Sequence, residues 1–151
     1  MFAKPYFCSM NFIVAIDFGL KRCGIAISDS NRIIASPKET IDSTTLLEYL
    51  NKLFISNPFD TIVLGFPKKL NGEDTHITQN VLALKDVLCK QFPESKTILF
   101  DERFTSKIAY HAIRDAGLKK KQRKEKGLVD KISASILLQD FLNTKDSNHA
   151  F

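Results

Sequence analysis

The sequence predicts an α/β domain: a five-stranded mixed sheet with helices on both faces. Three observations carry that expectation. Strand-like segments follow one another through tight connections between residues 12 and 36. From residue 42 onward, helical and strand-like stretches alternate. Strands joined by short turns run antiparallel, whereas strands reached through a helical crossover run parallel, so the two halves together give a mixed sheet.

Phe12 to Asp17 is a continuous apolar run of the kind a strand buried on both faces requires. Gly24 to Asp29 is a second strand, and Ser30-Asn31 marks a turn. Arg32 to Ser36 reads as a short third strand, closed by Pro37. Asp42 or Ser43 then caps a helix whose apolar positions Leu46, Leu47, Leu50, Leu53 and Phe54 recur at helical spacing, and Asn57-Pro58 ends it. Thr61 to Gly65 is a fourth strand. A second helix follows over Thr75 to Gln91, with Ile77, Val81, Leu84 and Leu88 on one stripe and Pro93 after it. Thr97 to Phe100 is the fifth strand and runs into Asp101-Glu102. Thr105 caps a third helix over Ser106 to Ala116, which Gly117 stops. A last helix spans Leu128 to Leu142, and a frayed polar tail follows from Asn143. The expected organisation is an N-terminal extension (1–11), one domain (12–142) and a tail (143–151). Met10, just before the first strand, is the expected natural start.

Charge is local. The chain carries 22 basic and 17 acidic residues, a formal charge of +5. Lys119, Lys120, Lys121, Arg123, Lys124 and Lys126 against Glu125 account for all of it, so the rest of the chain sums to zero. Such a cluster suits an anionic partner, and equally a solvated loop. The three cysteines are far apart and make no metal-binding or disulfide spacing, which fits reduced thiols in a cytoplasm. No apolar run approaches the roughly 18 residues of a membrane span, so no membrane partner is expected. His76, His111 and His149 form no zinc set. Cys23 has no partnered base and reads as packing rather than a nucleophile.

The chemistry lies in carboxylates at element ends. Asp17 ends the first strand, Asp101-Glu102 ends the fifth, and Asp130 sits in the first turn of the last helix. Each has an ordinary explanation: a turn acid, a strand-end ion pair, an acid favoured by the helix dipole. Asp130, however, shares a line with Ala134, Leu137 and Phe141, which is the stripe expected to face the sheet. A charge there is costly unless compensated. Gathered carboxylates repel one another unless a cation is present, and oxygen donors favour Mg²⁺ or Mn²⁺.

Five segments in order, IDFGLKRCGIAISD, IIASPKETI, IVLGFPKKLNGED, LFDERFTSKIA and VDKISASILLQDFL, resemble the YqgF/RuvX-like family of Holliday junction resolvase-like proteins and pre-16S rRNA nucleases. The resemblance runs from about residue 12 to 142. It implies an RNase H-like fold, with strands one to three antiparallel and four and five parallel to the first. It implies an acidic triad of Asp17, Glu102 and Asp130 holding Mg²⁺ or Mn²⁺, and hydrolysis of phosphodiesters in processing the 5′ end of pre-16S rRNA. Asp101 falls on the opposite face of its strand, because side chains alternate. Lys21, Arg22 and Arg103 lie beside the acids and are phosphate-binding candidates, together with the cluster from Lys119 to Lys126. The sequence departs from the pattern at Lys68-Lys69, at Arg103 to Lys107 and at Ser133, where a small alanine is usual.

Two rival readings stand beside this one: a resolvase acting on branched DNA, and a nucleic-acid-binding module without catalysis, for which the basic cluster alone suffices. Asp17-x-Gly19-x4-Gly24 also looks like the first phosphate loop of the actin and sugar-kinase ATPases, but those enzymes close two such domains around their nucleotide. A four-way junction has two symmetric scission points and favours a homodimer, whereas RNA end trimming is open to a monomer.

Overall fold

The computed structural model describes residues 11–66, 77–101 and 126–149. Within them the chain forms β1 (Phe12–Phe18), β2 (Arg22–Ser28), β3 (Ala35–Asp42), a 3₁₀ turn (Ser43–Thr45), α1 (Leu46–Ser56), β4 (Phe59–Phe66), α2 (Thr78–Gln91), β5 (Lys96–Asp101) and α3 (Lys126–His149). The third helix expected from sequence, over Ser106 to Ala116, lies outside the described residues, as does the loop after Phe66.

The five strands make one sheet in the order β3-β2-β1-β4-β5. β1 is antiparallel to β2 and β2 to β3, while β1, β4 and β5 are parallel. The mixed sheet expected from the turn and crossover lengths is therefore the sheet observed. β1 is the middle strand, and Ile13, Val14, Ala15 and Ile16 are completely buried because both faces are covered.

Side-chain alternation sorts the core into two layers. Val14, Ile16, Cys23, Ile25, Ile62 and Leu64 pack with Leu46, Leu50 and Leu53 of α1 and with Val81 and Leu88 of α2. Ile13, Ala15, Ala26 and Val63 pack instead with Ala134, Leu137, Leu138, Phe141 and Leu142 of α3. The apolar stripes read along the helices are the faces that meet the sheet.

The third strand, the first helix and the last helix differ from their expected bounds, each for a local reason. The third strand is Ala35–Asp42 and not Arg32 to Ser36. Asp29 accepts hydrogen bonds from the backbone N–H groups of Asn31 (3.2 Å), Ile33 (2.7 Å) and Ile34 (2.8 Å), which holds residues 31–34 in a loop. Arg32 sits in the left-handed region at φ 59°. Pro37, expected to close the strand, lies inside it. β3 is an edge strand, and a bulge beside Pro37 leaves Lys38 as an extra residue between the pairs Ile25–Glu39 and Ala26–Pro37. At such a place the missing N–H is tolerated.

Asp42 caps the 3₁₀ turn by accepting from the Thr44 N–H, so α1 itself begins only at Leu46. The last helix begins at Lys126 and continues past Leu142. No glycine or proline interrupts it beyond Gly127. Gln139 donates to the Asn143 side chain (3.2 Å) and Thr144 to the Asp140 carbonyl (2.8 Å), where the polar tail was expected to begin.

Candidate active site

Asp17 is the sixth residue of β1. Ile13 and Ala15 point to the α3 side of the sheet, so alternation puts Asp17 on that side too. Its cross-strand partner is Gly24 of β2. Helix α3 passes directly over Gly24: a Cβ there would stand 2.0 Å from the Asp130 carbonyl oxygen and 2.9 Å from the Lys131 nitrogen. Glycine is the residue that permits this approach. The pairing and the crossing together place Asp17 and the backbone of Asp130, far apart in sequence, both beside Gly24.

Asp130 was expected in the first helical turn, where the dipole would account for it. Because α3 starts at Lys126, Asp130 lies one turn further in, where that effect has faded. Its side chain, 29% exposed, accepts a hydrogen bond at Oδ2 from Arg22 Nε at 3.1 Å. Arg22 opens β2 at the same end of the sheet.

The β1–β2 turn that carries Lys21 and Arg22 is tied down. Ser43 Oγ donates to the Gly19 carbonyl (2.6 Å), and the Ser43 N–H donates to the Lys21 carbonyl (3.0 Å). A Cβ at Gly19 would meet the Arg22 carbonyl oxygen at 2.6 Å, so glycine is needed for this tight turn as well. Lys21 is exposed.

Cys23 lies on the opposite face, buried in the α1/α2 layer, with its Sγ 3.4 Å from Ser43 Oγ. Burial pushes its thiol pKa up, and the charges of Asp17 and Asp130 add to the rise. The thiol thus registers both carboxylates while contributing no ligand to their face. What that face offers is oxygen, the donor set of a hard divalent cation.

Asp101 ends β5 opposite Phe66 of β4. Ile98 and Phe100 pack on the α3 side and Leu99 on the other, so Asp101 falls with Leu99, away from Asp17. Glu102, Arg103, Lys119, Lys120, Lys121, Arg123 and Lys124 lie outside the described residues, and Lys126 is the first residue of α3. Among the described residues, no three acidic, histidine or cysteine side chains form a metal-binding group.

Sequence reasoning named Arg22 as a phosphate-binding candidate but missed its bond to Asp130, and it read Ser43 as a helix cap and not as the tether of the turn. Gly24 did carry a signal, since glycine inside a strand often marks a close approach of another backbone.

The strand order and the strand directions define an α/β fold of the RNase H-like class. Among solved structures it is similar to Thermus thermophilus RuvC, with a TM-score of 0.54 at 11% identity over 90% of this chain and 96% of that one. The T. thermophilus RuvC complex with a Holliday junction substrate matches with a TM-score of 0.51 at 11% identity, over 83% and 90% of the two chains.

Residues 11–144 match the family model RuvX, described as a Holliday junction resolvase, and the chain belongs to that family. A Flavobacterium johnsoniae protein is 43% identical over 88% of this chain and 96% of its own length. A Bacteroides thetaiotaomicron protein is 43% identical over 90% of this chain and 99% of its own. Both carry the name "Putative pre-16S rRNA nuclease".

Proposed function

We propose that this protein is a divalent-metal-dependent nuclease that hydrolyses phosphodiester bonds, with the 5′ end of pre-16S rRNA as its substrate. The observation that carries the reading is that Asp17 pairs with Gly24 while α3 crosses the same glycine at Asp130, at the end of the central strand. The names of the relatives supply the substrate.

Glu102 completes the proposed triad. Its place in the triad is what the family resemblance implies, and Asp101 before it falls with Leu99, away from Asp17. Asp17, Glu102 and Asp130 would hold Mg²⁺ or Mn²⁺, which supplies an activated water and neutralises charge on the leaving oxygen. Lys21, Arg22 and Arg103 would meet the phosphates beside the scissile bond. The cluster from Lys119 to Lys126 would hold the backbone further along, without reading bases. The proposed setting is the cytoplasm, with a monomer sufficient for trimming an RNA end.

The test is a Mn²⁺-dependent cleavage assay on an rRNA precursor and on a four-way DNA junction, with wild type beside Glu102→Gln. The variant is expected to bind nucleic acid as before and to lose cleavage. Undiminished cleavage would remove Glu102 from the mechanism, and binding without cleavage in the wild type would leave only a binding module. The family description favours a second reading, resolution of branched DNA, which preferential cutting of the junction would establish.

A further inference from the structure

The Arg22–Asp130 ion pair is the feature that a metal-and-carboxylate reading leaves unexplained. A guanidinium that serves only to bind phosphate has no reason to sit on a proposed metal ligand. Yet Arg22 Nε donates to Asp130 Oδ2 at 3.1 Å across 108 residues of sequence. Among the described residues, this guanidinium pairs with Asp130. The contact is not a chance meeting of long side chains. The turn that presents Arg22 is fastened by Ser43 to the Gly19 and Lys21 carbonyls, and the helix that presents Asp130 is fixed by its approach to Gly24.

We infer that Arg22 is a resident counter-ion of Asp130, which competes with a divalent cation for that carboxylate and, once displaced, is freed for a phosphate. This inference rests on the proposed metal-dependent reading. A cation arriving at Asp130 meets a positive charge already hydrogen-bonded to Oδ2. The guanidinium repels it at either carboxylate oxygen, and moving Arg22 off Oδ2 relieves that repulsion. Guanidinium is suited to both stations, because its planar fork matches carboxylate and phosphate alike. With 44% of the Arg22 side chain exposed, its remaining N–H donors can reach a ligand at the sheet end. Metal and nucleic acid therefore bind with positive coupling: each cation bound releases one arginine to the phosphate backbone, and by linkage nucleic acid tightens the hold on the cation.

The experiment is a Mn²⁺ titration followed by the electron spin resonance of the free ion, on wild type, Arg22→Gln, Arg22→Lys and Asp130→Asn. It is run with and without a phosphorothioate oligonucleotide that resists cleavage. Arg22→Gln is expected to bind Mn²⁺ alone about two- to fivefold more tightly, the range in which a partly exposed ion pair competes. The same variant loses most of the tightening that the oligonucleotide brings to wild type. Arg22→Lys, which keeps the charge, stays close to wild type. Unchanged or weaker Mn²⁺ binding in Arg22→Gln, with Asp130→Asn clearly weakened, overturns the counter-ion role and leaves the metal site standing. Unchanged binding in Asp130→Asn removes Asp130 from the metal site, and both readings fall together.

Discussion

Replacing Gly24 by alanine tests the point on which the geometry of the site turns. The added Cβ would lie 2.0 Å from the Asp130 carbonyl oxygen and 2.4 Å from the carbonyl carbon, both backbone atoms that cannot rotate away. Real Cβ atoms essentially never approach within 3.0 Å, so α3 and β2 must separate by about 1 Å at this place. Overpacking of this kind costs about 1–3 kcal/mol. For a chain of this size each kcal/mol lowers the melting temperature by about 2–4 °C. The larger effect is on the site, because the atoms displaced belong to Asp130 itself. A misplacement of about 1 Å in a catalytic constellation can cost about a hundredfold in rate. Gly24→Ala is therefore expected to remain folded by circular dichroism, to melt several degrees lower, and to lose about two orders of magnitude of Mn²⁺-dependent cleavage well below its melting temperature. A variant that melts lower but cleaves at the wild-type rate would show that the position of Asp130 does not govern the chemistry. A variant unchanged in both would show that α3 does not lie against Gly24.

Three further expectations follow from the sequence and structure. If the cluster from Lys119 to Lys126 makes about six phosphate contacts on a duplex, log K falls with log salt at a slope of about −5, and replacing these lysines by glutamine flattens it; an unchanged slope would place the binding surface elsewhere. In a Cys8→Ser background, exposed Cys89 should react with a thiol reagent at pH 8 while Cys23, buried and with its pKa raised, reacts only on unfolding; equal rates would contradict its placement. Asp29, whose pKa is lowered chiefly by the N–H groups of Ile34 and Ile33, contributes stability that is present above the ordinary carboxylate value of 3.8 and lost as pH falls through the lowered one. Urea midpoints of wild type should thus decline more steeply below that value than those of Asp29→Asn, and parallel declines would deny Asp29 its part in the loop.

The organisation of the sheet was legible because it depends on local pattern. Ile13 to Ile16 read as a strand covered on both sides, and all four are buried in the central strand. The stripes of α1 and α2 read as sheet-facing, and Leu46, Leu50, Leu53, Val81 and Leu88 are in the core. Boundaries were less legible where a side chain competes with the ladder. Asp29 draws Ile33 and Ile34 out of the third strand, and an edge position admits Pro37 into it. Periodicity reports burial and not such competition.

From the sequence alone came the two-sided burial of the first strand, the carboxylate at its tip and the apolar faces of the helices, because each follows from the spacing of neighbours along the chain. Only the tertiary structure decided that α3 crosses at Gly24, that Asp17 and Asp130 share that crossing, and that Arg22 closes on Asp130. The Arg22–Asp130 contact spans 108 residues of sequence. No local periodicity encodes such contacts, and they arise when packing of the α3 stripe on the sheet sets how near two backbones can come.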